Sequence, residues 1–163
     1  MHKRSTAITY LIILIISISV LFAGCKDDNP KPTGLFNASF SGDFNKEMEG
    51  NARFRLEPAG ANGVIIIQLR ESDEVLLRLT FPNPSLTEIF LEPGSYTVVP
   101  QFGNNIPKEV LLDFINGQLS FKAQSGEVRI GISKPDQISG QIVNAEFSLL
   151  QSTCNSTFDS TPQ

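Results

Sequence analysis

The sequence predicts an all-β domain, an antiparallel β-sandwich of about 8–10 strands, with a β-barrel as the alternative. Two observations lead to this fold class. From Leu35 onward, apolar residues alternate with polar ones, which is the period-two pattern of half-buried strands and not the longer period of helices. Short runs of Gly, Pro, Asn and Asp separate the alternating segments at even spacing, as turns do in sandwiches and barrels.

Alternation places the strands in order along the chain. The last strand changes phase, because Ile138 and Ile142 share one parity whereas Ala145 and Phe147 share the other. Such a slip indicates a β-bulge, here near residues 142–144. The strands are predicted at residues 36–40, 52–56, 64–69, 75–81, 86–91, 96–98, 110–114, 119–123, 128–132 and 138–149.

The connections carry typical turn residues. Asn116-Gly117 between two apolar runs predicts a tight hairpin. Pro93-Gly94 fits the central positions of a type II turn, and Pro135-Asp136 marks another turn. Residues 151–163 are rich in Ser, Thr and Asn, so we expect a disordered polar tail there, after a folded domain at residues 34–150.

The N-terminus has the three parts of a secretory signal. Lys3 and Arg4 precede an almost wholly aliphatic run at residues 8–20, and the small residues Ala23-Gly24 then lead to Cys25. The rival interpretation is a transmembrane helix. A span usually needs about 18 apolar residues and a basic flank, and this stretch has neither.

Residues 21–25 resemble the lipobox of bacterial lipoproteins, with Phe22 at the position where that family usually has Leu. The resemblance implies that a peptidase removes residues 1–24 and that the Cys25 thiol carries the lipid. Residues 25–33 then form a lipidated tether, because two Pro and almost no apolar side chains occur in them. Two or more acyl chains hold a protein firmly to a membrane, since each buried CH₂ contributes about 0.8 kcal/mol.

Charged residues follow the lipobox at once. Lys26, Asp27 and Asp28 resemble the surface-export signal of Bacteroidota lipoproteins. This resemblance implies an outer-membrane protein that is exposed at the cell surface. The alternative is an ordinary charged tether on an anchor that faces the periplasm.

Composition excludes several functions. Without residues 1–24 the chain has 11 basic and 17 acidic residues, a net charge of −6, which argues against nucleic acid and against a basic membrane-binding patch. The only His is His2, and Trp is absent. The mature protein therefore lacks the commonest general base and metal ligand, and also the best stacking surface for sugars.

Residues 91–98 run from a strand through Pro-Gly to Tyr96-Thr97-Val98. This stretch resembles the corner of transthyretin-like and other bacterial β-sandwich modules. The resemblance covers eight residues and implies a sandwich, which by itself assigns no function.

Carboxylates offer the only candidate chemistry. Glu71, Asp73 and Glu74 crowd a predicted hairpin tip, but without the alternating ligand loop of a calcium site they are better explained as a solvated charged turn. A hydrolase would need two carboxylates facing each other across a cleft. The sequence supplies candidates without pairing them, and it predicts no catalytic residue, metal site or cofactor; the candidates are Glu88, Glu92, Asp113 and Glu146.

Two residues of the predicted tail are candidate modification sites. If Cys25 is lipidated, Cys154 has no partner within the chain, so it is either a free thiol or paired between molecules. Asp159-Ser160-Thr161 resembles the O-glycosylation motif of Bacteroidota, which makes Ser160 a possible acceptor in a flexible tail.

The function predicted from these features is a lipid-anchored cell-surface module that binds or assembles without catalysis. Protein or peptide is the favoured partner, because Trp is absent and an open sandwich offers edge strands. The alternative is a lipocalin-like carrier of a small lipophilic ligand, and a surface hydrolase is less favoured. A filled core would favour the binding module, and a contiguous internal cavity would favour the carrier.

Overall fold

The computed structural model describes residues 33–103 and 108–163, which form ten β-strands and one short 3-10 helix, at Ser148–Leu150. The predicted all-β class is confirmed. The strands are β1 (Leu35–Gly42), β2 (Lys46–Ala59), β3 (Asn62–Arg70), β4 (Val75–Asn83), β5 (Gly94–Val98), β6 (Glu109–Asn116), β7 (Leu119–Lys122), β8 (Ser125–Lys134), β9 (Gln137–Phe147) and β10 (Ser152–Pro162).

Strand pairing forms a closed ring. The order is β4-β3-β2-β1-β10-β9-β8-β5-β6, and β6 pairs back with β4, so nine strands complete the circle and β7 is added beside β6. Most pairs are antiparallel; β5–β6 and a short β2–β10 contact are parallel. This continuous ring is the pairing that the barrel alternative requires.

Inward-facing side chains fill the ring with one hydrophobic core. At one place five aromatic rings meet, with centroid distances from 4.9 to 6.2 Å. Their packing leaves the interior occupied by protein side chains. These rings belong to Phe40, Phe44, Phe114, Phe121 and Phe147.

The prediction of a disordered tail at residues 151–163 is wrong. β10 lies between β1 and β9 and pairs with both along most of its length. Its alternate side chains are buried, and several of its hydroxyls donate to backbone carbonyls, among them Ser156 Oγ to Asn37 O at 2.8 Å and Ser160 Oγ to Ile138 O at 2.6 Å. A central strand can thus contain small polar residues, because the neighbouring strands supply hydrogen-bond partners for both its backbone and its side chains.

The prediction of a strand at residues 86–91 is also wrong, because this segment is a loop after β4. The buried Asn83 holds the loop: its Nδ2 donates to Ser85 O at 2.6 Å and to Glu88 O at 2.8 Å, while Phe90 N donates to Asn83 Oδ1 at 2.8 Å. Pro93-Gly94 does not form the expected type II turn. Gly94 has φ of 134° and opens β5 opposite Ile130.

Two local predictions are confirmed. The bulge in β9 lies where the phase slips: Cys154 pairs with Ala145 and Ser156 with Ile142, so two residues of β9 face one of β10. Asn144, at the bulge, has φ of 49°. The Asn116-Gly117 hairpin connects β6 and β7, with Gly117 at φ of 60°.

Candidate functional site

An open cleft of about 650 Å³ lies where β4 ends and β5 and β6 begin. Ligand sites commonly have this size and combine apolar walls with a few polar groups. The walls here are mostly apolar, and the polar groups are concentrated at the start of β6. The apolar lining includes Pro82, Ile89, Phe90, Leu91 and Pro93, and the polar lining includes Glu92, Tyr96, Lys108 and Glu109.

The loop that forms one wall is held in place by hydrogen bonds. Besides the three bonds of Asn83, Ser85 Oγ accepts from Thr87 N at 3.2 Å and from Glu88 N at 3.0 Å. This braced loop presents Phe90 with 54% of its surface exposed. An aromatic side chain on a constrained backbone loses little conformational freedom when a partner covers it.

Tyr96 connects the loop to the core. Its hydroxyl donates to Glu92 O at 2.8 Å, and its ring meets the Phe81 ring edge-to-face with centroids 5.1 Å apart. Burial raises the pKa of Tyr96, the negative charge of Glu92 adds to the rise, and the hydrogen bond to the Glu92 carbonyl partly opposes it. The tyrosine therefore stays protonated and supports the cleft wall.

The polar end of the cleft contains two carboxylates and one ammonium group. Glu109 is only 5% exposed, and its Oε2 accepts from Gly103 N at 2.8 Å. Lys108 Nζ lies 3.6 Å from Glu92 Oε2, and both of these side chains are solvent-exposed. A buried carboxylate is costly unless hydrogen bonds or a cation compensate it, and the N–H of Gly103 supplies one such hydrogen bond to Glu109.

Sequence reasoning missed Glu109. Alternation predicts that Val110, Leu112 and Phe114 face inward, and all three are buried. The same pattern makes Glu109 look like an ordinary polar residue at the start of a strand. Its carboxylate accepts from Gly103 N, in the segment before β6. No local pattern carries that information.

The four candidate hydrolase carboxylates are not brought together. Asp113 is buried and accepts from Arg78 Nη2 at 2.9 Å on the surface formed by β4 and β6. Glu146 on β9 accepts from Ser125 Oγ at 2.6 Å. Glu88 and Glu92 lie in the loop beside the cleft, where Glu92 approaches Lys108. Asp113 and Glu146 are thus bound to partners on other strands, and of the four candidates only Glu92 lines the cleft.

The acidic hairpin tip between β3 and β4 is a solvated charged turn. Glu71 Oε2 lies 2.8 Å from Lys46 Nζ, and the fully exposed Asp73 lies 3.5 Å from Arg70 Nη1. Within residues 33–103 and 108–163, no group of three or more His, Cys, Asp or Glu side chains could hold a metal ion. In the same residues, no helix is long and apolar enough to cross a membrane.

The predicted modification residues have different outcomes. Cys25, Lys26, Asp27 and Asp28 lie outside the described residues. Cys154 is fully buried and free, and burial raises the pKa of its thiol to about 12, so pairing between folded molecules has no accessible sulfur.

The expectation that Ser160 lies in a flexible tail is wrong. Ser160 is fully buried in β10, and its hydroxyl donates to Ile138 O. A transferase therefore cannot reach this hydroxyl in the folded domain.

Comparison of the chain with protein-family models, curated proteins and solved structures gave no significant match.

Proposed function

We propose that this protein is a lipid-anchored binding module of the outer membrane, exposed at the cell surface, that captures a protein or peptide partner in its cleft without catalysis. The observation that carries the binding role is Phe90, an exposed aromatic residue on a braced loop beside the buried Glu109. The lipobox at Cys25 and the triplet that follows it support the anchor and the address.

The cleft suggests the chemistry of the partner segment. Its apolar walls suit aliphatic or aromatic side chains, and Glu109 suits an amine, a guanidinium or a backbone N–H. Lys108 offsets Glu92, which leaves the charge of Glu109 to select a cationic group. An extended segment with apolar residues next to a Lys or Arg combines both features.

The carrier alternative has one observation in its favour, the closed ring of strands. The interior of that ring is occupied by core side chains, including the cluster around Phe40 and Phe114. A lipophilic ligand would therefore have to bind in the outer cleft. Saturable uptake of a fluorescent fatty acid that Phe90→Ser abolishes would favour a carrier that uses the cleft, whereas loss of partner capture in this variant, with no fatty-acid uptake by the unchanged protein, supports the binding module.

The anchor is tested by replacing the lipidated residue. Cys25→Ser should abolish labelling by a radiolabelled fatty acid and leave uncleaved precursor, because no other thiol lies near the cleavage site. Replacing Lys26, Asp27 and Asp28 with Ala should leave the protein on the membrane but protect it from protease added to whole cells. Unchanged labelling in the first variant would contradict the anchor, and unchanged protease sensitivity in the second would contradict the export role.

The cleft is tested by quantitative capture from intact outer membranes. Phe90→Ser and Glu109→Gln should each reduce recovery of the bound protein. Leu119→Ser is the matched control, because Leu119 is 61% exposed on β7 and does not line the cleft. Equal recovery with all three variants would contradict binding at the cleft.

A further inference from the structure

Arginine is concentrated on one outer face of this acidic domain. Residues 33–103 and 108–163 contain five Arg, and four of them lie on the outward-facing positions of β2, β3 and β4. The fifth, Arg129, is on β8 and forms an ion pair with Glu127. We call the outer surface around Arg53, Arg55, Arg70 and Arg78 the arginine face.

Strand register sets the spacing of these side chains. Arg53 pairs with Gln68, and Gln68 pairs with Arg78, so the three lie in one row across β2, β3 and β4. Adjacent strands are about 4.8 Å apart, which places the two arginines of this row about 10 Å apart at the backbone. Arg55 and Arg70 are each two residues from the row along their strands.

A central amide holds two of the guanidinium groups together. Gln68 Oε1 accepts from Arg55 Nη1 at 3.1 Å and from Arg70 Nη2 at 3.3 Å. A neutral oxygen orients the two like charges but does not neutralise them. Planar guanidinium groups oriented in this way suit phosphate oxygens.

Acidic residues compensate part of the charge. Arg78 pairs with the buried Asp113, and Arg55 pairs with Glu57. Arg70 reaches only the fully exposed Asp73, at 3.5 Å. Among the described residues, Arg53 donates to neutral oxygens, those of Thr161 and Pro162. The positive charge available to a ligand is therefore mainly that of Arg53 and Arg70.

The chain enters the domain at the edge of this face. Gly34 O accepts from Ala52 N at 2.7 Å, immediately before Arg53 in β2, and Thr33 N donates to Asp159 Oδ2 at 2.7 Å. From Cys25 to Thr33, eight residues extend over at most about 29 Å. A lipid on Cys25 would keep the arginine face within that distance of the headgroup layer.

We propose that the arginine face docks on the anionic headgroup surface of the membrane that holds the anchor, with lipid phosphates as its ligands. The inference rests on the lipid anchor of the proposed function. Tethering raises the local concentration of headgroups around the domain. Contacts that are too weak to bind the free domain to a membrane can therefore orient the anchored domain.

The test uses the chain from Cys25 to Gln163, coupled through the Cys25 thiol to maleimide-lipid vesicles of phosphatidylcholine with or without phosphatidylglycerol. Cys154 does not compete for coupling, because it is buried. Arginine accessibility is measured at each residue as the rate of phenylglyoxal modification by mass spectrometry. Because the coupling is chemical, the result does not depend on whether cells lipidate Cys25, which fatty-acid labelling tests separately.

With phosphatidylglycerol at low salt, Arg53 and Arg70 should react about fivefold more slowly relative to Arg129, and high salt should remove the difference. Replacing both with Gln should abolish the lipid dependence at Arg55 and Arg78, whereas Arg129→Gln should not. Equal rates on both vesicles, or equal protection of Arg129, would overturn the proposal. Protection by soluble polyglutamate but not by the vesicles would replace the membrane with an acidic protein partner.

Discussion

The buried thiol of Cys154 should make the domain less stable at alkaline pH. The folded state raises the pKa of Cys154 from its ordinary 9.0 to about 12 because burial disfavours the thiolate. A raised pKa contributes stability that is complete below pH 9 and is lost as the pH rises towards 12. One pKa unit corresponds to about 1.4 kcal/mol, so at pH 10 the unfolded thiolate lowers the free energy of unfolding by about that amount.

The assay is urea unfolding of the Cys25→Ser chain with and without Cys154→Ala, at pH 7 and at pH 10. The alanine substitution costs stability at both pH values through lost packing, so the informative quantity is the change in the difference between the two chains. That difference should shrink by about 1.4 kcal/mol at the higher pH. Tyr96 also has a raised pKa, but it is present in both chains and its contribution cancels. Parallel pH profiles would refute the assignment of Cys154 to the core.

Three further predictions concern the core, the cleft wall and the pH dependence of binding. Phe158→Ala in β10 should cost about 3–5 kcal/mol of unfolding free energy, whereas Thr157→Ala on the exposed side should cost under about 0.5 kcal/mol; similar values in urea unfolding would contradict a buried β10. Tyr96→Phe should lower stability by about 1 kcal/mol through loss of the bond to Glu92 O, and unchanged stability would show that this bond does not hold the corner. Partner binding should be constant between pH 6 and 8, because residues 25–163 contain no His and the pKa values of Tyr96 and Cys154 are both raised further above that range; a tenfold change in the dissociation constant would point to an ionisation at the cleft.

Local sequence signals were sufficient for the fold class, the hairpins and the bulge. Period-two alternation reports which face of a strand is buried whatever its partners are, and Gly117 marks a backbone conformation that other residues adopt only at a cost. The phase slip between Ile142 and Ala145 located the bulge because a bulge changes parity. Each of these signals is contained within a few residues.

The errors arose where distant segments decide the structure. The Ser and Thr residues of β10 look like a disordered tail in sequence, but two neighbouring strands satisfy their backbone groups and leave only Cys154 and Phe158 as larger inward side chains. The loop at residues 84–93 contains a strand-like apolar run, yet Asn83 binds its backbone and holds it out of the ring. Composition cannot reveal such contacts.

Net charge does not describe the local distribution of charge. A charge of −6 for residues 25–163 argues against a basic surface, and it holds for the whole domain. Strand register nevertheless places Arg53, Gln68 and Arg78 in one row, because residues far apart in sequence become cross-strand neighbours. A surface a few ångströms across has its own potential, since salt screens charges beyond about 8–10 Å.

The start of β1, where the chain enters the domain, and the cleft lie at the same end of the strands. One row of paired residues crosses strands β1 to β4. Leu35 of β1 pairs with Asn51 of β2, Asn51 pairs with Arg70 of β3, and Arg70 pairs with Leu76 near the start of β4. The cleft residue Pro82 lies six residues further along β4, about 20 Å at the rise of an extended strand. β1 runs antiparallel to β4, and Gly34 O accepts from Ala52 N, so the chain before Leu35 extends in the same direction as β4 does towards Pro82. A lipid on Cys25 would therefore hold the membrane on the side of the domain where the cleft opens, and neutralising Arg53 should change the orientation of the anchored domain and with it the partner's access to Phe90.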